Sequence, residues 1–351
     1  MAGGPDSRVR AVIALTAVLT GAGGVLGRRV AAALEAEGGV DVVLLDSVRH
    51  PSGRSNGGGV TREIVAADVV IDLGSSDYDR RAVQRESATE FVATTLTVAD
   101  DLRADQVVFV SSAMVYGAFP NNPVPITEEA ALRPDVEFVF ARQLASAEEL
   151  VDQWRMARSG RMTTVLRPAV ALAGGRQSRL AGALVAGLGQ RFAEDDPPAQ
   201  FLHVDDLVRA IVLAVTRRLD GVYNVAPDGW VAGARIRALS GERPRLPLPE
   251  RFSEVLVRLR WRFLRGPIPP GLRSYTRESW VISNGRLRDE GWAPTVTNEQ
   301  AYVEATDAPW WTVVSPKRRQ ELALGGGGLL VAAVLATVAL IVRRQWRRDR
   351  R

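Results

Sequence analysis

The sequence contains no cysteine, which excludes disulfide bonds and thiolate chemistry. It contains two histidines, His50 and His203, which are too few for a histidine-rich metal site, and no metal site is predicted. The 45 basic residues include a single lysine, Lys317. A mechanism that needs a catalytic lysine elsewhere in the chain is therefore excluded.

The formal net charge of +5 is unevenly distributed along the chain. Residues 317–351 carry nine basic and two acidic side chains, whereas the preceding residues carry slightly more acidic than basic ones. The high isoelectric point therefore comes mostly from the C-terminal tail. It gives no support for nucleic-acid binding.

One long apolar run lies near the C-terminus. Residues 322–342 carry no charge, and at about 1.5 Å per residue a helix of this length spans about 30 Å, the thickness of a bilayer core. Basic residues flank the run on both sides, and tryptophans precede and follow it. The pattern predicts one transmembrane helix over 322–342 and a basic tail over 343–351. A buried core helix is the alternative.

Short apolar runs alternate with amphipathic stretches through the first two thirds of the chain, which predicts an α/β fold with a doubly wound parallel sheet. The first run, over about 11–19, could also belong to a signal peptide, but the glycines after it favour a buried strand. The other predicted strands are Val40–Asp46, Val69–Leu73, Val107–Val110, Thr163–Leu166 and Val222–Val225. The predicted helices include one that ends at Gly38, one over about 82–103 and one over Val204–Arg218.

The composition changes after about residue 227, where proline and arginine become frequent. This predicts a dinucleotide-binding domain over 8–226, with 171–199 contributing to a cap, and a substrate or cap region over 227–316. Within the latter, 251–265 is a basic, apolar helix candidate. It either packs on the domain as a cap helix or lies in a membrane interface.

A glycine turn follows the first predicted strand. Gly21 permits a tight turn, Gly24 allows the backbone to approach a pyrophosphate, and Gly27 allows close packing of helix on strand. The N-terminus of the next helix then offers N–H groups to phosphates. The residues predicted to contact a dinucleotide in this turn are Gly21, Gly23, Gly24, Val25, Leu26 and Gly27.

Asp46 ends the second predicted strand, 19 residues after Gly27. A carboxylate at this place accepts hydrogen bonds from ribose hydroxyls and repels a 2′-phosphate. The sequence therefore predicts NAD as the cofactor, with NADP less favoured.

Five segments, in this order, resemble the NAD-dependent epimerase/dehydratase family of extended short-chain dehydrogenase/reductases. They are Thr20–Gly27, Val110–Gly117, Leu166–Pro168, Phe201–Asp206 and Gly221–Val225. The resemblance implies a Rossmann fold that binds NAD(P) together with a nucleotide-activated sugar or a similar substrate. It also implies a serine, here Ser112, and a Tyr-x-x-x-Lys pair that moves a proton while hydride is transferred. Leu73, Gly74 and Ser111 are further cofactor contacts that we predict.

The chain departs from the family's pattern at the tyrosine and lysine. Phe140 and Leu144 occupy those two positions, and no tyrosine of the chain has a lysine four residues after it. A phenyl ring has no proton to transfer, and a leucine has no charge to bind ribose or to lower the pKa of a phenol. The short segment between Asp46 and Asp68 also puts the adenine contacts in doubt.

Three functional hypotheses remain open. The first is a family member that binds a dinucleotide with impaired or non-standard catalysis. The second is an active epimerase, dehydratase or reductase on a nucleotide- or lipid-linked sugar, which uses substitute acid/base groups. The nearest candidates for those groups are Ser112, Tyr116, Arg142 and Asp72. The third is an interaction protein on a Rossmann scaffold.

The resemblance and the apolar run together predict a bacterial inner-membrane protein, which could form a homodimer. The basic tail favours a cytoplasmic C-terminus. A domain that binds NAD needs the cytosolic cofactor pool. With a single span, the C-terminal tail and the globular domain cannot both be cytoplasmic. We expect the globular domain in the cytoplasm.

Overall fold

The computed structural model describes residues 15–45, 64–74, 88–173, 179–188, 197–240 and 270–306. Four predicted features lie outside these residues: Asp46, the helix candidate at 251–265, the apolar span at 322–342 and the basic tail. Within the described ranges, no helix is both long and apolar enough to cross a membrane.

Within the described ranges, six strands form the main sheet and two short strands form a second one. The strands are β1 Leu15–Thr20, β2 Val40–Leu45, β3 Val69–Asp72, β4 Gln106–Val110, β5 Met162–Pro168, β6 Val170–Leu172, β7 Phe201–His203 and β8 Gly221–Val225. The helices are α1 Val25–Glu37, α2 Ala88–Asp101, α3 Val139–Met156, α4 Arg179–Gly187, α5 Val204–Thr216, α6 Gly233–Leu239, α7 Gly285–Asp289 and α8 Asn298–Ala305. Three short 3₁₀ helices cover Ala113–Tyr116, Pro270–Leu272 and Ser274–Thr276.

The main sheet has the strand order β2-β1-β3-β4-β5-β8, and every pair in it is parallel. Central strands such as β3 and β4 are buried along their whole length, as continuous apolar runs require when helices cover both faces. The predicted doubly wound α/β sheet is confirmed. The strand order reverses between β1 and β3, which creates a crevice at their carboxyl ends.

Element ends differ from the predictions by a few residues. The first strand ends at Thr20 instead of about 19, and the helix of the second crossover ends at Asp101 instead of 103; residues 11–14 and 82–87, where these two elements were predicted to begin, lie outside the described residues. The pair of β6 and β7 was not predicted. Each of these strands has three residues, which is too short for an alternating pattern to show.

The β6–β7 pair belongs to a small apolar cluster beside the main core. Phe201 packs against Tyr302 with ring centroids 4.8 Å apart, and both rings are buried. The cluster therefore joins segments that are about 100 residues apart in sequence. The predicted domain boundaries at 226 and 316, and the contribution of 171–199 to a cap, stay predictions.

A buried ion pair ties α3 to β5. The Nη2 of Arg167 donates to Oε2 of Glu148 over 2.6 Å, and the side chains of both residues are only 7% exposed. The Nε of Arg167 donates to both carboxylate oxygens. Burial alone would lower the pKa of Arg167, but the hydrogen bonds to Glu148 raise it above its ordinary value. The guanidinium of Arg167 therefore keeps its charge inside the protein.

We expect Arg167→Met to lower the free energy of unfolding by about 3–5 kcal/mol, because it leaves the carboxylate of Glu148 buried without a partner. The matched control is Arg155→Met, which breaks an exposed pair with Asp220 and should cost no more than about 1 kcal/mol. Urea unfolding followed by circular dichroism measures both losses. Adding Glu148→Gln to Arg167→Met should recover part of the stability. Equal losses of stability in Arg167→Met and Arg155→Met would contradict the assignment of a buried ion pair.

Candidate functional site

The carboxyl ends of β1 and β3 meet at two glycines. A methyl group built on Gly21 would lie 2.4 Å from Cα of Gly74, so the two backbones are in direct contact. Gly21 also has φ +69°, in the left-handed region that favours glycine. Neither position has a side chain, so the two strand ends meet backbone to backbone at the point where the strand order reverses.

The predicted glycine turn leads directly into α1. The N-cap residue of α1 is Gly24, and the first turn of the helix carries no acidic side chain. A methyl group on Gly27 would lie 2.2 Å from the carbonyl oxygen of Ala22, which explains why the helix approaches the strand so closely. Nη1 of Arg28 donates to the carbonyl oxygen of Gly23 over 3.0 Å and holds the turn from outside.

The predicted residues of the turn are all brought together here. Gly21, Gly23, Gly24, Val25, Leu26 and Gly27 form one continuous segment at the sheet edge. The N–H groups of the first helical turn have no partners inside the helix, and they carry the positive end of its dipole. The segment therefore has the geometry of an anion site.

Leu73, Gly74 and Ser111 lie at the ends of neighbouring strands. Leu73 and Gly74 follow β3, and Ser111 follows β4, so the structure places all three along the same edge as the turn. Asp46, the residue after β2 in the sequence, lies outside the described residues.

Ser111 and Ser112 are both engaged by neighbouring groups. Oγ of Ser111 donates to Oε1 of Glu148 over 2.5 Å. Ser112 is the N-cap of the 3₁₀ helix that follows β4, and its Oγ accepts from the N–H of Met114. A serine hydroxyl that accepts a hydrogen bond still has a proton to donate, so Ser112 remains available to a ligand.

Tyr116 lies at the end of the same 3₁₀ helix and is 1% exposed. Its hydroxyl accepts from Nη1 of Arg167 over 2.7 Å and donates to Oδ1 of Asn224 over 2.8 Å. Burial raises the pKa of Tyr116 to about 12, although Arg167 opposes the shift. A buried phenol with so high a pKa is a poor general base at neutral pH.

The other substitute candidates are placed differently. Arg142 is exposed on α3 and donates to the carbonyl oxygen of Val136, and Asp72 is buried at the end of β3. The sequence patterns did not identify Glu148 or Asn224. Glu148 accepts a hydrogen bond from Ser111 and Asn224 accepts one from Tyr116, so both belong to the buried polar network at this site. A glutamate on the apolar face of α3 was the signal that could have identified Glu148, because a buried carboxylate requires a partner.

Phe140 and Leu144 lie one helical turn apart near the start of α3. Phe140 is 5% exposed and Leu144 is fully buried. The ring of Phe140 packs against that of Phe138, with centroids 5.8 Å apart. Both side chains belong to the same apolar cluster as Met114 and Tyr275. The two positions thus place hydrocarbon, and no acid or base, in the apolar cluster at the start of α3.

Comparison with known proteins gives the same fold. The structure is similar to the UDP-glucose 4-epimerase of Thermus thermophilus in complex with NAD, with a TM-score of 0.60 and 18% identity, over 83% of this chain and 97% of that one. The UDP-glucose 4-epimerase of Bifidobacterium longum in complex with NAD⁺ and UDP gives a TM-score of 0.59 and 16% identity, over 85% and 98% of the two chains. At these identities the likeness shows the fold alone.

Sequence comparison finds an uncharacterised protein of Mycobacterium tuberculosis that is 26% identical over 198 residues. The match covers 56% of this chain, and the chain spans about half the length of the curated relatives it matches. The model of the family described as NAD dependent epimerase/dehydratase matches residues 17–226, which is more than half of the chain. The chain therefore belongs to the NAD-dependent epimerase/dehydratase family.

Proposed function

We propose that the chain binds NAD in the crevice between β1 and β3, with impaired or non-standard catalysis. The observation that carries this proposal is the contact between Gly21 and Gly74 at the point where the strand order reverses, directly before the N-terminus of α1. In open parallel sheets, dinucleotides bind at this place, with the pyrophosphate on the helix N-terminus.

The residues of the turn fit a pyrophosphate. The N–H groups at the N-terminus of α1 can donate to its oxygens, and no acidic side chain lies in the first helical turn. The structures of the UDP-glucose 4-epimerases from Thermus thermophilus and Bifidobacterium longum, which are similar to this one, are complexes with NAD. This supports the same cofactor here. The preference over NADP rests on Asp46 and its repulsion of a 2′-phosphate.

NAD, when bound, supplies a hydride acceptor. The residues of this chain would then have to move a proton, and Phe140 and Leu144 have no group that can do so. Tyr116 is buried with a raised pKa, which disfavours it as a substitute base. These observations support a binding function over efficient turnover. A sugar nucleotide or a lipid-linked sugar is the proposed second ligand.

Calorimetric titration of the full-length protein in mild detergent measures this function. We expect NAD to bind with a micromolar Kd and Gly24→Val to lose at least tenfold in affinity, because the valine side chain fills the space of the pyrophosphate. Ala157→Val adds similar bulk at the far end of α3 and should leave the Kd unchanged. If the folded wild-type chain bound no NAD, this proposal would be wrong and a role as an interaction protein would be favoured.

We further propose that residues 322–342 anchor the protein in the membrane, with the globular domain in the cytoplasm. The support is the uncharged run of 21 residues with basic residues on both sides. The homodimer remains a prediction without further support.

Fractionation of bacterial cells tests the anchor. We expect the full-length chain to stay in the membrane pellet after an alkaline carbonate wash, and a chain that ends at Pro316 to appear in the supernatant. A chain that lacks only 343–351 keeps the apolar run and should stay in the pellet, so it separates hydrophobic insertion from attraction by the basic tail. Recovery of the full-length chain in the wash would show that no anchor exists.

A further inference from the structure

The crevice has a second half, on the β3 side of the point where the strand order reverses. In open parallel sheets a dinucleotide crosses this point with its pyrophosphate at the first helix, so that one nucleoside lies on each side. The acidic residue after the second strand binds the adenosine ribose in this arrangement. The nicotinamide riboside of NAD would therefore lie in the second half, along the ends of β3 and β4.

The side chain of Phe91 reaches this half of the crevice from α2. Because the chain leaves β3 at the carboxyl edge of the sheet and α2 leads back to the start of β4, the N-terminal half of α2 lies beside that edge. Oγ1 of Thr95 is hydrogen-bonded over 3.1 Å to Oγ1 of Thr20, the last residue of β1. Phe91 precedes Thr95 by one helical turn, which is about 6 Å farther toward the crevice on the same face of the helix.

The tip of the Phe91 ring rests on the two glycines at the strand ends. A methyl group built on Gly74 would lie 2.2 Å from Cζ, 2.3 Å from Cε1 and 2.8 Å from Cε2 of the ring, and one built on Gly21 would lie 3.1 Å from Cζ. Only a glycine at position 74 leaves room for this ring. The ring atoms nearest to Gly74 are those of the tip, so the contact with Gly74 does not cover the flat faces of the ring.

Phe91 is not a residue of the apolar core. Its side chain is half-buried, whereas the next residue, Val92, is buried on the same helix. Among the residues that the structure describes, Phe91 belongs to none of the three apolar clusters. Core packing therefore does not account for an aromatic side chain at this place, and contact with a planar ligand does.

A phenyl ring beside the glycine pair suits one part of a dinucleotide. The pyrophosphate is an anion and is served by the N–H groups of α1. The nicotinamide ring is planar, and in NAD it carries a positive charge, so it can stack on a phenyl face and is attracted by the π-electrons of that face. Stacking of a base on an aromatic side chain changes affinity by about tenfold or more.

We propose that Phe91 binds the nicotinamide ring of the ligand through one face of its side chain. The inference rests on the proposed NAD-binding function and adds a specificity to it. The site then prefers a dinucleotide over the same molecule cut after its second ribose. ADP-ribose is the matched ligand, because it is NAD without the nicotinamide.

Calorimetric titration of the full-length protein with NAD, and with ADP-ribose as a competitor, tests the proposal. We expect the wild-type protein to bind NAD about tenfold more tightly than ADP-ribose. Phe91→Ala should weaken NAD by about tenfold and ADP-ribose by less than about twofold, because only NAD has the ring that Phe91 contacts. Phe91→Leu keeps apolar bulk on the glycine pair without a flat face, and it should also lose most of the preference. This variant serves if Phe91→Ala does not fold.

Phe119→Ala is the matched control. It removes another half-buried phenyl ring, which lies under the guanidinium of Arg133 on the loop after β4. We expect it to change neither Kd, so that the loss of a phenyl ring as such is separated from the loss of Phe91.

The outcomes separate this inference from the function on which it rests. Equal weakening of NAD and ADP-ribose in Phe91→Ala would show that the ring only supports the glycine pair, and tighter binding of NAD would show that the ring obstructs the ligand. A wild-type protein with no preference for NAD over ADP-ribose would overturn the inference as well. In these three cases the NAD-binding function stands. If the folded wild-type protein binds neither ligand, the function itself is wrong and the inference is overturned with it.

Discussion

The close approach of β1 and β3 governs the rest of the site. The backbones of Gly21 and Gly74 touch, so no side chain can stand between the two strand ends. This contact sets where the crevice lies, brings the N-terminus of α1 to its rim and places the ends of β3 and β4 along its second half. A helix N-terminus with no acidic side chain in its first turn is an electrostatic environment for an anion before any ligand arrives.

Below that edge, the structure uses charge to fix the geometry of the serines. Glu148 and Arg167 are buried together, and the pair extends to the hydroxyls of Ser111 and Tyr116. A network of this kind is costly to leave incomplete, because each buried charge needs its partner. It supports the loop after β4 and uses groups that could otherwise have served a substrate.

Sequence patterns predicted the parallel sheet and the glycine turn because both are local. A buried strand is a short apolar run, and three glycines at fixed spacing after it mark a tight turn. The patterns did not predict that Phe91 rests on Gly74, or that Tyr275 is hydrogen-bonded to Met114 across 161 residues of sequence. Such contacts depend on how distant segments pack, and no periodicity of a single segment carries that information. The substitution at position 144 could be read from the sequence, whereas the segment that packs beside it could not.

The packing of Pro270–Thr276 against α3 has a consequence for how the chain folds. The family match ends at residue 226, yet Leu272 and Tyr275 complete the apolar cluster that contains Phe138, Phe140 and Leu144. During synthesis from the N-terminus, these side chains leave the ribosome more than 100 residues before their cover does. The Rossmann part is thus an unfinished core until the later segment arrives, and its exposed aromatic surface is a natural substrate for chaperones in that interval.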